Sequence, residues 1–160
     1  MRLILEKPVG PEFKIIYPFW KDASKEKDER KTAYEIFDNH HPVIDLGMPE
    51  NNKIYCGFDG IVVRCEWHKG MGNVIGVRNG NIIALYAHLN KFLINLGDKT
   101  KTGQNIAISG NTGAATIPDL PHLHFELRDL TRNSLKEMVF KPEFNKPIKQ
   151  FQETFTYLIN

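Results

Sequence analysis

The sequence predicts a mainly β protein built on an antiparallel sheet, either a sandwich or an open barrel. Three observations predict it. Short apolar runs recur at 43–46, 53–56, 61–67, 73–77, 81–88 and 104–109. Turn-forming pairs and glycine clusters separate them: Asp59-Gly60, Lys69-Gly70-Met71-Gly72, Asn79-Gly80-Asn81 and Gly110-Asn111-Thr112-Gly113. No ten-residue helical pattern intervenes, and parallel strands need a crossover of about a dozen residues, so a parallel sheet is disfavoured.

Taken in order, residues 1–20 read as extended segments, with Phe13, Ile15 and Tyr17 alternating before Pro18 interrupts. Residues 21–38 open with a mixed charge run, Lys21 to Lys31, followed by Ala33, Ile36 and Phe37 at helical spacing. A short charged surface helix or loop is expected there. From residue 42 the pattern is β, and Asn79-Gly80 between two apolar runs is the strongest local hairpin signal. The last clear strand is Pro121-His122-Leu123-His124-Phe125-Glu126-Leu127, where apolar and polar residues alternate. Residues 133–160 are aromatic and basic, broken by Pro142 and Pro147. Ile148 to Leu158 reads as a short strand or helix packing over the core.

At 160 residues one domain is the default, and the chain is long enough to bury a normal core. Hydrophobic content of 41% and charged content of 25% are those of an ordinary globular protein. A net charge of +2 is too small to point to nucleic acid. No run approaches the roughly 20 apolar residues of a membrane span, and the apolar run at the N-terminus is far too short for a signal peptide. Cys56 and Cys65 lack the Cys-x-x-Cys spacing of a thiolate metal site. They flank Asp59-Gly60, so a disulfide across a hairpin is one option and two buried thiols the simpler one.

The chemistry-bearing residues are histidines. On a strand His122 and His124 share one face, about 7 Å apart. In His41-Pro42-Val43-Ile44-Asp45 the even spacing also puts His41 and Asp45 on one face of an extended chain. Pro42 pushes His41 out of the helical region. His40 has the wrong parity to join Asp45. Two histidines and a carboxylate with an open fourth position form a ligand class of catalytic zinc, which acidifies water and polarises carbonyls. Spacing alone leaves open which of His122 and His124 would be the third ligand. His68 lies in a loop-like polar segment and reads as solvated. Glu126 shares the face of His124, either beside the site or in a structural salt bridge. Asn73 reads as a turn cap and Tyr86 as core.

The motifs His41-x-x-x-Asp45, Tyr86-Ala87-His88-Leu89 and His122-Leu123-His124-Phe125-Glu126 resemble the M23 peptidases. These are the LytM and lysostaphin-type zinc endopeptidases that cut peptide cross-links of bacterial peptidoglycan. Asp59-Gly60-Ile61-Val62-Val63, Gly72-Asn73-Val74-Ile75, the glycine-flanked segment 96–104 and Gly110-Asn111-Thr112-Gly113 match its spacer motifs in order. The resemblance runs over 41–128. Residues 1–40 would then be N-terminal strands and a charged insert, and 129–160 a C-terminal extension.

The resemblance implies an antiparallel core with a groove. It makes His41, Asp45 and His124 ligands of Zn2+, and His88 and His122 a catalytic pair. It implies action outside the cytoplasm, in the wall, the periplasm, the medium or by phage delivery, on stem peptides or cross-bridges. The chain is expected to work as a monomer without nucleic acid. Three departures stand out. Val43 occupies a position where the family usually has glycine, the loop 114–121 is about three residues longer, and Pro18-Phe19-Trp20-Lys21 precedes an unusually long charged stretch. Two rival readings are a non-catalytic relative that binds or activates a partner cell-wall hydrolase, and a barrel-sandwich carrier module. The second gives no reason for the five matched site positions.

Overall fold

The computed structural model describes residues 2–11, 13–25, 34–114 and 120–150. Twelve strands run through them in chain order: β1 (Ile4–Leu5), β2 (Lys14–Tyr17), β3 (Ile44–Gly47), β4 (Lys53–Tyr55), β5 (Gly60–His68), β6 (Gly72–Asn79), β7 (Ile82–Phe92), β8 (Lys99–Thr100), β9 (Asn105–Ser109), β10 (His122–Asp129), β11 (Val139–Phe140) and β12 (Lys146–Pro147). One helical turn, α1 (Leu135–Met138), precedes β11. The main sheet has the order β2-β3-β10-β7-β6-β5-β8, with β9 joining β7 to β4 and β11 on β10; β1 and β12 form a separate pair. All these pairings are antiparallel and, among the described residues, the sheet does not close on itself. The mainly β expectation holds, as an open sheet.

Alternation sorts the faces of β3 and β10. Ile44 pairs with Phe125 and Leu46 with Leu123 on the core face; Asp45 pairs with His124 and Gly47 with His122 on the other. The core face gathers Leu46, Leu123, Phe125, Tyr86, Ile75, Phe58 and Ile106, all essentially solvent-free. Each such side chain contributes about 1.5–3 kcal/mol by leaving water. Tyr86 lies in the core as its apolar neighbours suggest, and its hydroxyl accepts the Gly57 N–H at 2.9 Å. Gly80, with φ of 57°, turns the β6–β7 hairpin after Asn79.

Of the charged N-terminal stretch, residues 26–33 lie outside the described residues, as do 115–119 of the longer loop before β10. Between the charged stretch and β3 the described chain makes a single 3-10 turn, Glu35–Phe37. The cysteines are free thiols, Cys56 buried and Cys65 partly exposed. The disulfide option fails because β4 pairs with β9 rather than with β5, so the two residues do not face each other across a hairpin. Asn73 is no turn cap: it sits on β6, and its side-chain amide donates to the Leu89 and Asn90 carbonyls of β7. In the C-terminal extension, Ile148 enters the core and Phe140 and Phe144 pack against it; residues 151–158 of the expected terminal element lie outside the described residues.

Candidate metal centre

Three elements deliver the five singled-out side chains to one place. His41 precedes β3, with its backbone clamped by the segment 20–21: Trp20 N–H donates to the His41 carbonyl at 2.7 Å and His41 N–H to the Lys21 carbonyl at 2.9 Å. Its ring packs edge-on against Tyr17 and Tyr34, at 4.6 and 5.3 Å between centroids. Asp45 stands on β3 opposite His124 on β10. His40 is set apart, stacked on Trp20 at 5.3 Å, as its parity requires. His68 ends β5 and is exposed.

His41 Nε2 lies 3.2 Å from Asp45 Oδ2, and His124 Nδ1 lies 3.5 Å from Asp45 Oδ1. One donor atom from each of the three residues falls within 4.8 Å of the others, a set that can hold a metal ion. Both ring nitrogens of His41, Asp45 Oδ1 and His124 Nε2 are buried without a hydrogen bond. Buried polar atoms are normally partnered, because an unmet one costs about 1–3 kcal/mol. A cation would meet one ring nitrogen of each histidine and the Asp45 carboxylate, while His124 Nε2 faces Glu126. Burial alone would raise the Asp45 pKa, but His41, His124 and His122 outweigh it and hold the carboxylate at about 2. The Asp45 carboxylate is therefore ionised at any ordinary pH.

His124 has a second carboxylate behind it. Glu126 Oε2 approaches His124 Nε2 at 3.6 Å, and Arg128 donates its Nε–H to Glu126 Oε1. Glu126 is only 3% exposed. Burial would raise its pKa, yet His124 and Arg128 lower it overall, so it stays charged. A carboxylate on the far ring nitrogen fixes the orientation of a metal-binding imidazole. Of the two readings that the sequence left open for Glu126, the structure displays both contacts at once.

His88 and His122 flank the cluster, with centroids 4.8 Å apart. Each has a fixed tautomer. A carbonyl only accepts, so His88 Nδ1–H donates to Thr112 O at 2.7 Å and His122 Nδ1–H to Leu120 O at 3.1 Å. Both Nε2 atoms are left as lone-pair acceptors, and that of His122 lies 3.8 Å from Asp45 Oδ2. Burial, then the neighbouring His124 and His122, push the His88 pKa down to about 3. Burial also lowers that of His122. Both rings are neutral bases at pH 7.

The backbone at His88 is unusual. Its φ is +61°, a strained value for a residue with a Cβ. It falls where β7 leaves β10, after Ala87, and takes up β9, from Leu89. The Thr112 loop holds it there. Thr112 Oγ1 donates to the Leu89 carbonyl at 2.7 Å and accepts Asn73 N–H at 3.1 Å. Gly72 and Gly113 permit this approach: a Cβ on Gly72 would sit 2.4 Å from the Thr112 carbonyl carbon, and one on Gly113 2.3 Å from Gly72 N. The sequence marked Thr112 only as part of a glycine turn; its contacts with His88, Leu89 and Asn73 appear only in the tertiary structure.

The profile of peptidase family M23 matches residues 39–136. The chain is 41% identical over 88 residues to the peptidoglycan DD-endopeptidase ShyA of Vibrio cholerae, covering 54% of this chain and 20% of that protein. It is 40% identical over 91 residues to the glycyl-glycine endopeptidase ALE-1 of Staphylococcus capitis, covering 55% and 24%. The chain thus spans less than a third of the length of these relatives. In fold it resembles the catalytic domain of lysostaphin from Staphylococcus simulans, with a TM-score of 0.62 at 24% identity over 82% of this chain and 88% of that one. The matched region contains the whole buried histidine–aspartate cluster, and the chain belongs to peptidase family M23.

Proposed function

We propose that this chain is a zinc-dependent endopeptidase that hydrolyses peptide cross-links of bacterial peptidoglycan, outside the cytoplasm. The observation that carries the reading is the buried, unpartnered donor set of His41, Asp45 and His124 beside two imidazoles with free Nε2 atoms. Likeness to relatives named as peptidoglycan and glycyl-glycine endopeptidases supports the substrate class.

His41, Asp45 and His124 would hold the zinc ion, their set leaving room for a further ligand. When bound, zinc supplies Lewis acidity towards a carbonyl oxygen and activates water at neutral pH. The chain's own groups do the proton work. His88 and His122 are neutral and present Nε2 to the site, so one accepts the proton of the attacking water. The imidazolium so formed carries the inward N–H, which steadies the developing oxyanion or returns the proton to the leaving amine. The Thr112 and Leu120 carbonyls prevent either ring from turning its N–H inward.

The test is mass spectrometry of soluble fragments released from purified peptidoglycans of several cross-link types. New peptide amines are expected with the protein and absent with a chelator or with His88→Ala. Intact walls of every type, incubated with zinc-loaded protein, would refute the reading.

A further inference from the structure

Strand β5 leaves one side of the main sheet open. β8 pairs with it only at Gly60 and Ile61. The 93–98 loop bonds to its backbone as far as Val62, whose N–H donates to the Asp98 carbonyl and whose carbonyl accepts the Gly97 N–H. A bulge between Val62 and Arg64 marks where that cover ends. From there to His68 no described strand pairs with the outer side of β5. Such an edge presents unpaired N–H and C=O groups, a template for another strand. Exposed apolar surface gathers at the same place. Ile61, Val63 and Trp67 on β5, with Leu93 and Leu96 in the loop beside it, are 42–66% exposed and make up half of the large exposed apolar side chains among the described residues. The Cys65 thiol ties that loop to the strand, donating to the Ile94 carbonyl at 3.6 Å. Apolar side chains grouped in this way mark a contact surface.

We propose that this edge is a self-association surface, on which two copies of the chain pair their β5 strands antiparallel about Cys65. The occupant is a second copy because the edge is its own complement. Edges are commonly protected by charge, since like-charged copies repel. Here one charge of each sign, Arg64 and Glu66, stands on either side of Cys65. A two-fold axis through Cys65 sets Arg64 of each copy opposite Glu66 of the other. Within one chain the two already touch, Arg64 Nε to Glu66 Oε1 at 2.5 Å, so the pair joins four charges in one network. The same register brings Trp67 of each copy towards Val63 of the other. β6 and β7 stand between β5 and β10, so the pairing does not cover the strand of His122 and His124. Two short edge segments make a small contact, and the association is expected to be weak. It departs from the monomer expected from the sequence.

The test is analytical ultracentrifugation of the wild type, Arg64→Glu, Glu66→Arg and the double reversal over a concentration series. The wild type is expected to show a reversible monomer–dimer equilibrium. Each single reversal sets like charges opposite each other twice and should weaken the dimer at least about tenfold. The double reversal restores opposite charges and should dimerise as the wild type does. An equal mixture of the two single variants should associate as well, because one then offers only acid at these positions and the other only base. Recovery in the mixture also shows that both single variants are folded. A wild type that stays monomeric throughout the series overturns the proposal. So do single reversals that dimerise as tightly as the wild type, or a mixture that associates no better than either variant alone.

Discussion

Asp45 and Asp59 have the same low pKa, about 2, for opposite reasons. Asp59 lies at a corner away from the site, its side chain 49% exposed. Lys101 Nζ donates to Oδ2 at 2.9 Å, and both the N–H and the hydroxyl of Thr102 donate to Oδ1 at 2.8 Å. Its side-chain oxygens are met by the loop it fastens. Asp45 is 5% exposed, and its Oδ1 has no hydrogen bond. It is kept ionised by its neighbours His41, His124 and His122, against the cost of burial. A depressed carboxylate pKa by itself therefore says nothing about function. What separates the two is whether the oxygens have been satisfied by the fold.

That contrast can be broken at several points. The largest effect is expected from His88→Ala. Removing a positioned general base should lower turnover by roughly 10² to 10⁴-fold while zinc content is unchanged, as read by steady-state kinetics and metal analysis. Loss of zinc in this variant would make His88 part of the metal site instead.

Glu126→Gln comes next. The carboxylate behind His124 should be worth roughly 10- to 100-fold in zinc affinity, measured by competition with a chromophoric chelator. Unchanged affinity would reduce Glu126 to a partner of Arg128 alone.

Acid should expose the same region. The folded-state pKa of His88, about 3, lies below its unfolded value of about 6.5. Unfolded chains then take up a proton that the folded chain refuses, so stability falls as pH drops from about 6.5 towards 3, by about 1.4 kcal/mol per unit. His122 acts in the same direction. Urea melts of metal-free protein between pH 7 and 4.5 should show a shallower slope for His88→Gln than for the wild type; parallel slopes would contradict the buried, neutral assignment.

The smallest effect belongs to Asp59→Ala. Its bonds are shared with solvent, so the loss should be about 1 kcal/mol of stability, with zinc affinity unaffected.

Much of this architecture was legible because its signals are local. The alternation of β10 announced that His122 and His124 share a face, and the even spacing of His41 and Asp45 did the same on β3. What stayed hidden depends on contacts distant in sequence. His88 sits in strand-like sequence, yet its left-handed backbone arises from the change of partner strand between Ala87 and Leu89 and from Thr112, 24 residues away. Phe13 and Ile16 meet Gly47 and Leu120 around one cavity, a contact that no periodicity foretells. Cys56 and Cys65 misled because Asp59-Gly60 looks like a hairpin turn, whereas the chain passes there from the β4–β9 pair to the β5–β6 pair.

The most direct test of the metal centre is a zinc titration of metal-stripped wild type, Asp45→Ala and Asp59→Ala followed by calorimetry. One tight site per chain in the wild type and in Asp59→Ala, absent in Asp45→Ala, is the predicted result. Equal zinc binding by Asp45→Ala, or no stoichiometric binding by the wild type, would contradict the claim that the unpartnered cluster is a metal centre.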